Sequence, residues 1–241
     1  MAATGAAAAV RTWVHPEKIM HDALDTAYVF LAPQEVRFLD AAVERLIPAD
    51  ALGAGAREAG VTCFIDRQLA GAWGVHGRQY REGPWQAGTP QQGFQSRLTP
   101  QEIYRAGIRE TDVFCSRRHG RTFCLLEATQ QDDVLRGLEG GSIALDSLPS
   151  QLFFELLLRN TFEGFFADPM YGGNRDKAGW RLVGFPGVAS GSYAGHLARS
   201  DVPYHAEPVS ILDIAQQRVE VDASGYPVHV MRADADGGGA A

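Results

Sequence analysis

The fold turns on one stretch: Ser150-Gln151-Leu152-Phe153-Phe154-Glu155-Leu156-Leu157-Leu158-Arg159-Asn160-Thr161-Phe162-Glu163-Gly164-Phe165-Phe166. It is apolar on nearly every side, interrupted by Glu155, Arg159, Asn160 and Glu163. A helix that is hydrophobic all round belongs at the centre of a core, and a polar-broken run of this length falls short of the roughly 20 apolar residues a membrane span needs. Upstream, residues 123–138 read as a further helix, closed by Gly140-Gly141. Thr99-Pro100-Gln101-Glu102 is a helix start with a Thr cap, Pro at the first helical position and Glu at the third. That helix is expected to run to about Cys115. Residues 57–73 read as a helix with Val61, Phe64, Ile65 and Leu69 on one face. Another follows Pro33: Glu35 lies in its first turn, Val36, Leu39, Val43, Leu46 and Ile47 recur at helical spacing, and Pro48 stops it. Residues 16–31 keep a loose helical period.

Downstream the pattern changes. Beyond Pro186 the chain is rich in Gly, Ser, Pro and Tyr, with an apolar patch at 209–214, a candidate strand at 218–221 and a disordered-looking tail at 234–241. Five or six helices with almost no alternating pattern argue an all-α fold: a single helical domain with long irregular loops and an extended C-terminal arm. The expected limits are an N-terminal extension at 1–30, the helical domain at 31–186, and the arm and tail at 187–241.

Composition agrees with a globular chain. Of 241 residues, 45% are apolar and 21% charged, enough for a sizeable core without staples. Lys and Arg total 22 against 29 Asp and Glu, a net charge of -7, which argues against binding nucleic acid by phosphate neutralisation. Residues 1–10 are mostly alanine, without the basic and leucine-rich regions of a signal peptide. Three readings follow: a cytoplasmic chain, a mature chain whose leader was removed, or a passenger exported on another chain's signal. The cysteines are Cys63, Cys115 and Cys124, and no CxxC pair exists. Buried free thiols are the plain reading. A Cys115–Cys124 disulfide requires the chain to reverse between them, which Arg118-His119-Gly120 permits.

Residues 74–98 and 186–208 are longer than the loops usual in compact domains. They carry Tyr80, Trp85, Phe94, Tyr193 and Tyr204, large rings that need somewhere to be buried. Either they pack back across the helices or they wrap a partner protein, as aromatic-bearing segments often do.

A search for chemistry yields little. The chain has no GxGxxG, P-loop, GxSxG or HExxH. His205-Ala206-Glu207 lacks the PCxxC that a zinc deaminase would add, and the seven histidines are scattered. A Cys63, His119 and Asn160 assembly is a remote alternative. The one dense polar constellation is Asp168 to Lys177. It has two readings: a phosphate- or sugar-binding loop built from backbone amides, or a rigid structural turn. In the second, Asp168 caps, Gly172 and Gly173 take positive φ, Arg175 pairs with Asp176, and Trp180 packs the loop on the helices.

The run Phe165-Phe166-Ala167-Asp168-Pro169-Met170-Tyr171-Gly172-Gly173-Asn174-Arg175-Asp176-Lys177-Ala178-Gly179-Trp180, followed by Gly184-Phe185-Pro186-Gly187, resembles the signature of gluconate 2-dehydrogenase subunit 3. Arg45-Leu46-Ile47-Pro48-Ala49-Asp50, Gly55-Ala56-Arg57-Glu58-Ala59-Gly60-Val61, Glu82-Gly83-Pro84-Trp85 and Pro208-Val209-Ser210-Ile211-Leu212-Asp213-Ile214 support the likeness, which covers about residues 30–215. The resemblance implies the small, or gamma, subunit of a membrane-bound heterotrimer. In it a large subunit holds FAD and oxidises a sugar or sugar acid, and a cytochrome c subunit passes electrons to quinone. It further implies a periplasmic chain with no catalytic residues and no cofactor of its own, tied to the inner membrane through its partners and helping to export the flavoprotein. Family members usually begin with a twin-arginine leader, which this sequence does not show. A periplasmic address would also permit a disulfide among the cysteines. The expected partner interface comprises Tyr80, Trp85, Phe94, Asp168, Tyr171, Asn174, Arg175, Trp180, Tyr193 and Tyr204. The alternatives are a free-standing sugar- or phosphate-processing enzyme using the Asp168 loop, and a transient export chaperone.

Overall fold

The computed structural model describes residues 27–77, 81–86, 88–92, 96–188, 204–223 and 225–230. Seven helices lie among the described residues: α1 (Pro33–Leu46), α2 (Val61–Ala70), α3 (Pro100–His119), α4 (Ala128–Glu139), α5 (Ser150–Phe166), α6 (Ala178–Val183) and α7 (Ile211–Ala215). Backbone pairing between extended segments there amounts to isolated bridges, and the candidate strand at 218–221 contributes only Val221 opposite Pro227. The fold is all-α.

α5 sits at the centre, touching α1, α2, α3, α4 and α6. Its Phe153, Leu157 and Phe165 are sealed from solvent. The Phe38 ring of α1 lies 4.7 Å from Phe123 and 6.2 Å from Phe153, and Tyr104 of α3 meets Phe153 edge-on at 5.9 Å. Edge-on and tilted pairs of this kind contribute beyond their buried area. The Tyr104 hydroxyl donates to Asn160 Oδ1 at 2.9 Å. Its burial, with the nearby Glu163 carboxylate adding to it, pushes the phenol well above its ordinary value.

Local signals set most boundaries. Thr99 accepts the Glu102 amide, and Glu102 accepts the Thr99 amide at 2.7 Å, so the expected box forms at the head of α3. The helix runs one turn past Cys115 because Arg117, Arg118 and His119 suit its negative end, and Gly120 closes it at φ 73°. α2 is shorter than the 57–73 its periodicity suggests, entered through Gly60 and ended at Gly71.

Two segments depart from the sequence reading for tertiary reasons. The single helix expected at 123–138 is broken: Phe123–Leu125 forms a 3-10 turn, and α4 begins at Ala128. Asp112 Oδ1 accepts the Phe123 amide at 2.9 Å, and Gln131 donates to the Phe123 carbonyl at 3.1 Å. These bonds hold the Phe123 turn in place, with its ring tilted 37° against Phe38. The second segment is residues 27–32, which are not helical. The Asp66 carboxylate accepts the amides of Val29, Phe30 and Leu31 at 2.7, 2.9 and 2.8 Å. Arg105 lies over the Phe30 ring and pairs with Glu35 at 2.6 Å. The rest of the 16–31 period, with Tyr80, Phe94, Tyr193 and the 234–241 tail, lies outside the described residues.

The described part of the C-terminal arm packs back on its own chain. Val209 donates to Pro186 at 3.0 Å, Val188 to Val209 at 2.8 Å, and Glu207 to Val230 at 2.9 Å.

Candidate functional site

The Asp168–Lys177 loop follows α5 directly, so its position is set by the core helix. Asp168 Oδ1 caps the Met170 amide at 3.0 Å while Oδ2 accepts the Ile211 amide at 2.7 Å, tying the loop to α7. Asn174 is fully buried. Its Nδ2 donates to the Ala167 carbonyl at 2.8 Å, and its Oδ1 accepts the Gly179 amide at 2.8 Å, closing the loop across its own neck. The Arg175 amide donates to Ala59 at 2.9 Å, which docks the loop on the entrance to α2.

Positive φ is distributed otherwise than the sequence suggests. Gly172 takes it at 97°, but so do Asn174, Asp176 and Lys177 at 49°, 54° and 57°. Gly173 does not. It is required for proximity instead, since a Cβ there would stand 2.1 Å from the Gly164 carbonyl oxygen of α5. Asp176 offers its carbonyl to Arg181 at 2.8 Å.

Trp180 is buried, donates to the Phe166 carbonyl at 2.7 Å and meets Phe185 edge-on at 5.2 Å. Lys177 Nζ reaches Asp213 Oδ2 at 2.8 Å, where the amide and hydroxyl of Ser210 also donate. Burial alone would raise the Asp213 carboxyl, but Lys177 and Ser210 outweigh it and hold it below the usual carboxylate range. The loop is thus a buckle joining α5, α2, α6 and α7. A phosphate cradle needs outward-facing amides. Here those of Met170, Tyr171, Gly172, Arg175 and Lys177 all have partners within the chain.

The residues expected at the interface are placed differently from one another. Asn174 is fully buried and Trp180 is 6% exposed. Tyr204 is half-buried beside His229, with ring centroids 6.2 Å apart. Tyr171, Arg175 and Trp85 are exposed, and Arg81 stacks 5.0 Å over the Trp85 ring. Cys115 and Cys124 are free thiols: Cys115 faces the core from α3, while Cys124 lies 3.7 Å from the Thr122 hydroxyl. The Cys63, His119 and Asn160 assembly fails on Asn160, whose amide is held by Tyr104 and donates to Glu163 at 2.8 Å. Among the described residues no three His, Cys, Asp or Glu side chains converge as a metal site requires. No described helix is long and apolar enough to cross a membrane.

Beside the buckle lies a feature the sequence reading missed. Phe162 and Phe166 on α5, Leu182 on α6 and Leu52 on the loop after α1 are exposed around a groove of about 270 Å³. Met170, Tyr171, Val183 and Phe185 are exposed nearby in sequence. The signal was present as apolar residues at the end of α5, but an all-round apolar helix reads as wholly buried.

An inward-directed polar buckle thus lies beside an outward-directed apolar face. The family model for gluconate 2-dehydrogenase subunit 3 matches residues 33–187, and the chain belongs to that family. A search of the curated proteins and of the solved structures finds no match.

Proposed function

We propose that this chain is the non-catalytic small subunit of a membrane-bound, FAD-dependent gluconate or sugar dehydrogenase. It binds and stabilises the large flavoprotein subunit, works beside a cytochrome c subunit, and helps to carry the flavoprotein to the periplasm. FAD and haem c belong to those partners, and this chain holds neither. Membership of a family described as a dehydrogenase subunit supports partner subunits. The observation that carries the non-catalytic reading is the fate of the polar loop at 168–177. Asp168, Asn174 and Lys177 are engaged with the chain itself, which supports a structural rather than a catalytic use of the loop. The exposed apolar groove supports a binding role, because contiguous apolar surface on a soluble chain marks an interaction site.

The test is co-expression of the full chain with its FAD-bearing large subunit and the cytochrome subunit. The chain should co-elute with flavin and haem absorbance from a membrane extract, and the isolated chain should not reduce an artificial acceptor with gluconate or related sugar acids. Turnover by the isolated chain overturns the reading. Elution of the mature flavoprotein and cytochrome without the chain would make it a transient export chaperone instead. Cell fractionation with and without the chain tests the export role: the flavoprotein should fail to reach the periplasm in its absence.

A further inference from the structure

We infer that the cleft between the head of α1 and the outer face of α3 binds a small hydroxylated carboxylate, with its carboxylate at Arg117 and its hydroxyls among Asp112, Gln34 and Ser116. This concerns a ligand of the chain itself and stands apart from the subunit reading. The cleft measures about 680 Å³, within the roughly 300–1,000 Å³ usual for small-molecule sites. Its α3 wall is built at helical spacing: Arg105, Arg109, Val113 and Arg117 follow one another every four residues and so share a face. Ile108, almost fully buried, gives an apolar floor together with Val113. Gln34 of α1 and Thr122 beyond α3 complete the lining.

The polar groups of the cleft divide into those engaged by the chain and those left over. Glu35 and Arg105 occupy each other: the Glu35 carboxylate accepts Arg105 at 2.6 Å and the Ala32 amide at 2.8 Å, while Arg105 also donates to the Phe30 carbonyl at 2.9 Å and covers its ring. Arg109 pairs with Glu110 at 3.0 Å. Asp112 gives the chain only Oδ1, which accepts the Phe123 amide at 2.9 Å, and no described residue donates to its Oδ2. Nor does any described residue bond the guanidinium of Arg117, the side-chain amide of Gln34 or the hydroxyl of Ser116.

The groups left over select the ligand. Arg117 brings a planar fork of donors that matches a carboxylate. Ionised Asp112 only accepts, whereas the Gln34 amide and the Ser116 hydroxyl both donate and accept, so the groups near the fork suit hydroxyls, which do both as well. Burial pushes the Asp112 carboxyl up, with the Phe123 amide and Arg37 opposing it in part. A hydroxyl donating to Oδ2 therefore supplies a bond that this half-buried carboxylate lacks. Counting the charged neighbours of the lining, Arg37, Arg105, Arg109 and Arg117 stand against Glu35, Glu110 and Asp112. That leaves one positive charge over, in a chain whose net charge is -7. The balance suits a single carboxylate and disfavours a dianion beside Asp112.

The experiment titrates the full chain by calorimetry with four probes: sodium gluconate, the uncharged polyol glucitol, acetate and inorganic phosphate. Gluconate should saturate one site per chain, with each of the other probes weaker by about tenfold or more, since each lacks the charge, the hydroxyls or the single negative charge that the cleft selects. Arg117→Gln should weaken gluconate by about tenfold or more and Ser116→Ala by about threefold. Both variants should melt with the wild type, because neither side chain is bonded within the fold. Absence of saturable gluconate binding overturns the proposal. So does glucitol binding equally well, which would remove the carboxylate from recognition, or acetate or phosphate doing so, which would leave a bare anion patch. Undiminished gluconate binding by Arg117→Gln would place the ligand elsewhere and overturn it too. Loss of the large subunit from the Arg117→Gln chain, with no gluconate present, would make the cleft a protein contact instead. Each of these failures leaves the subunit reading standing, because that reading is decided by co-elution with flavin and haem.

Discussion

The buckle at residues 168–177 and the groove beside it are opposites in composition and in use. The buckle is polar, yet its Asn174 is sealed from solvent and its Asp168 and Lys177 are bonded to α7. The groove is apolar, yet Phe162, Leu182 and Leu52 face outward. Polar groups that satisfy one another inside a fold serve that fold. Contiguous apolar surface left in water is where interaction sites are commonly found. Residue type alone would assign the two regions the reverse roles.

Mutations grade that contrast. The largest effect is expected from Gly173→Ala, because the new Cβ would stand 2.1 Å from the Gly164 carbonyl, a backbone atom that cannot swing away. Denaturant titration should show a loss of about 3 kcal/mol or more. A loss under about 0.5 kcal/mol would mean the loop is not clamped on α5. Asn174→Ala removes both bonds across the neck, orphans the Gly179 amide and the Ala167 carbonyl, and places alanine at φ 49°. It should cost about 2–3 kcal/mol, with faster amide exchange at Gly179 as the local sign.

Lys177→Met breaks the half-buried pair with Asp213 and should cost about 1–2 kcal/mol near neutral pH, between the values for exposed and buried pairs. The folded Asp213 carboxyl is lowered. Its contribution is therefore complete above the unfolded carboxylate pKa of about 3.9 and disappears as pH falls through the lower folded value. Wild type and Lys177→Met should converge in stability at that acid end, and a gap that persists there would refute the pairing as its source. On the groove side, Leu182→Ser should change stability by less than about 0.5 kcal/mol, checked by the same titration. A loss comparable to that of Asn174→Ala would erase the distinction between the two regions.

What could be read in the chain depended on how local its cause was. The head of α3 was legible because Thr99, Pro100 and Glu102 act on one another within four residues. The central place of α5 was legible because its composition leaves it no other. The break before α4 was not, since it depends on Asp112, on the preceding helix, and on Phe38, far upstream of Phe123. Nor was the strap at 27–32, whose amides are claimed by Asp66 more than thirty residues later. In the candidate site, Asp168 as a cap was readable from its neighbours. Trp180 packing on the helices was one of the two readings offered, but the inward turn of Asn174 was not readable, because its side chain closes on the Ala167 carbonyl just past α5.

By itself the sequence determined an all-α chain with a dominant apolar helix, and through a long motif it determined the family to which the chain belongs. These follow from spacing and local chemistry, which do not depend on how distant segments meet. Only the tertiary structure decided which side of that helix is left uncovered and which polar residues are consumed inside. Burial is a property of the whole packing: Phe165 and Phe166 are adjacent and chemically identical, yet one is sealed and the other is exposed at the groove.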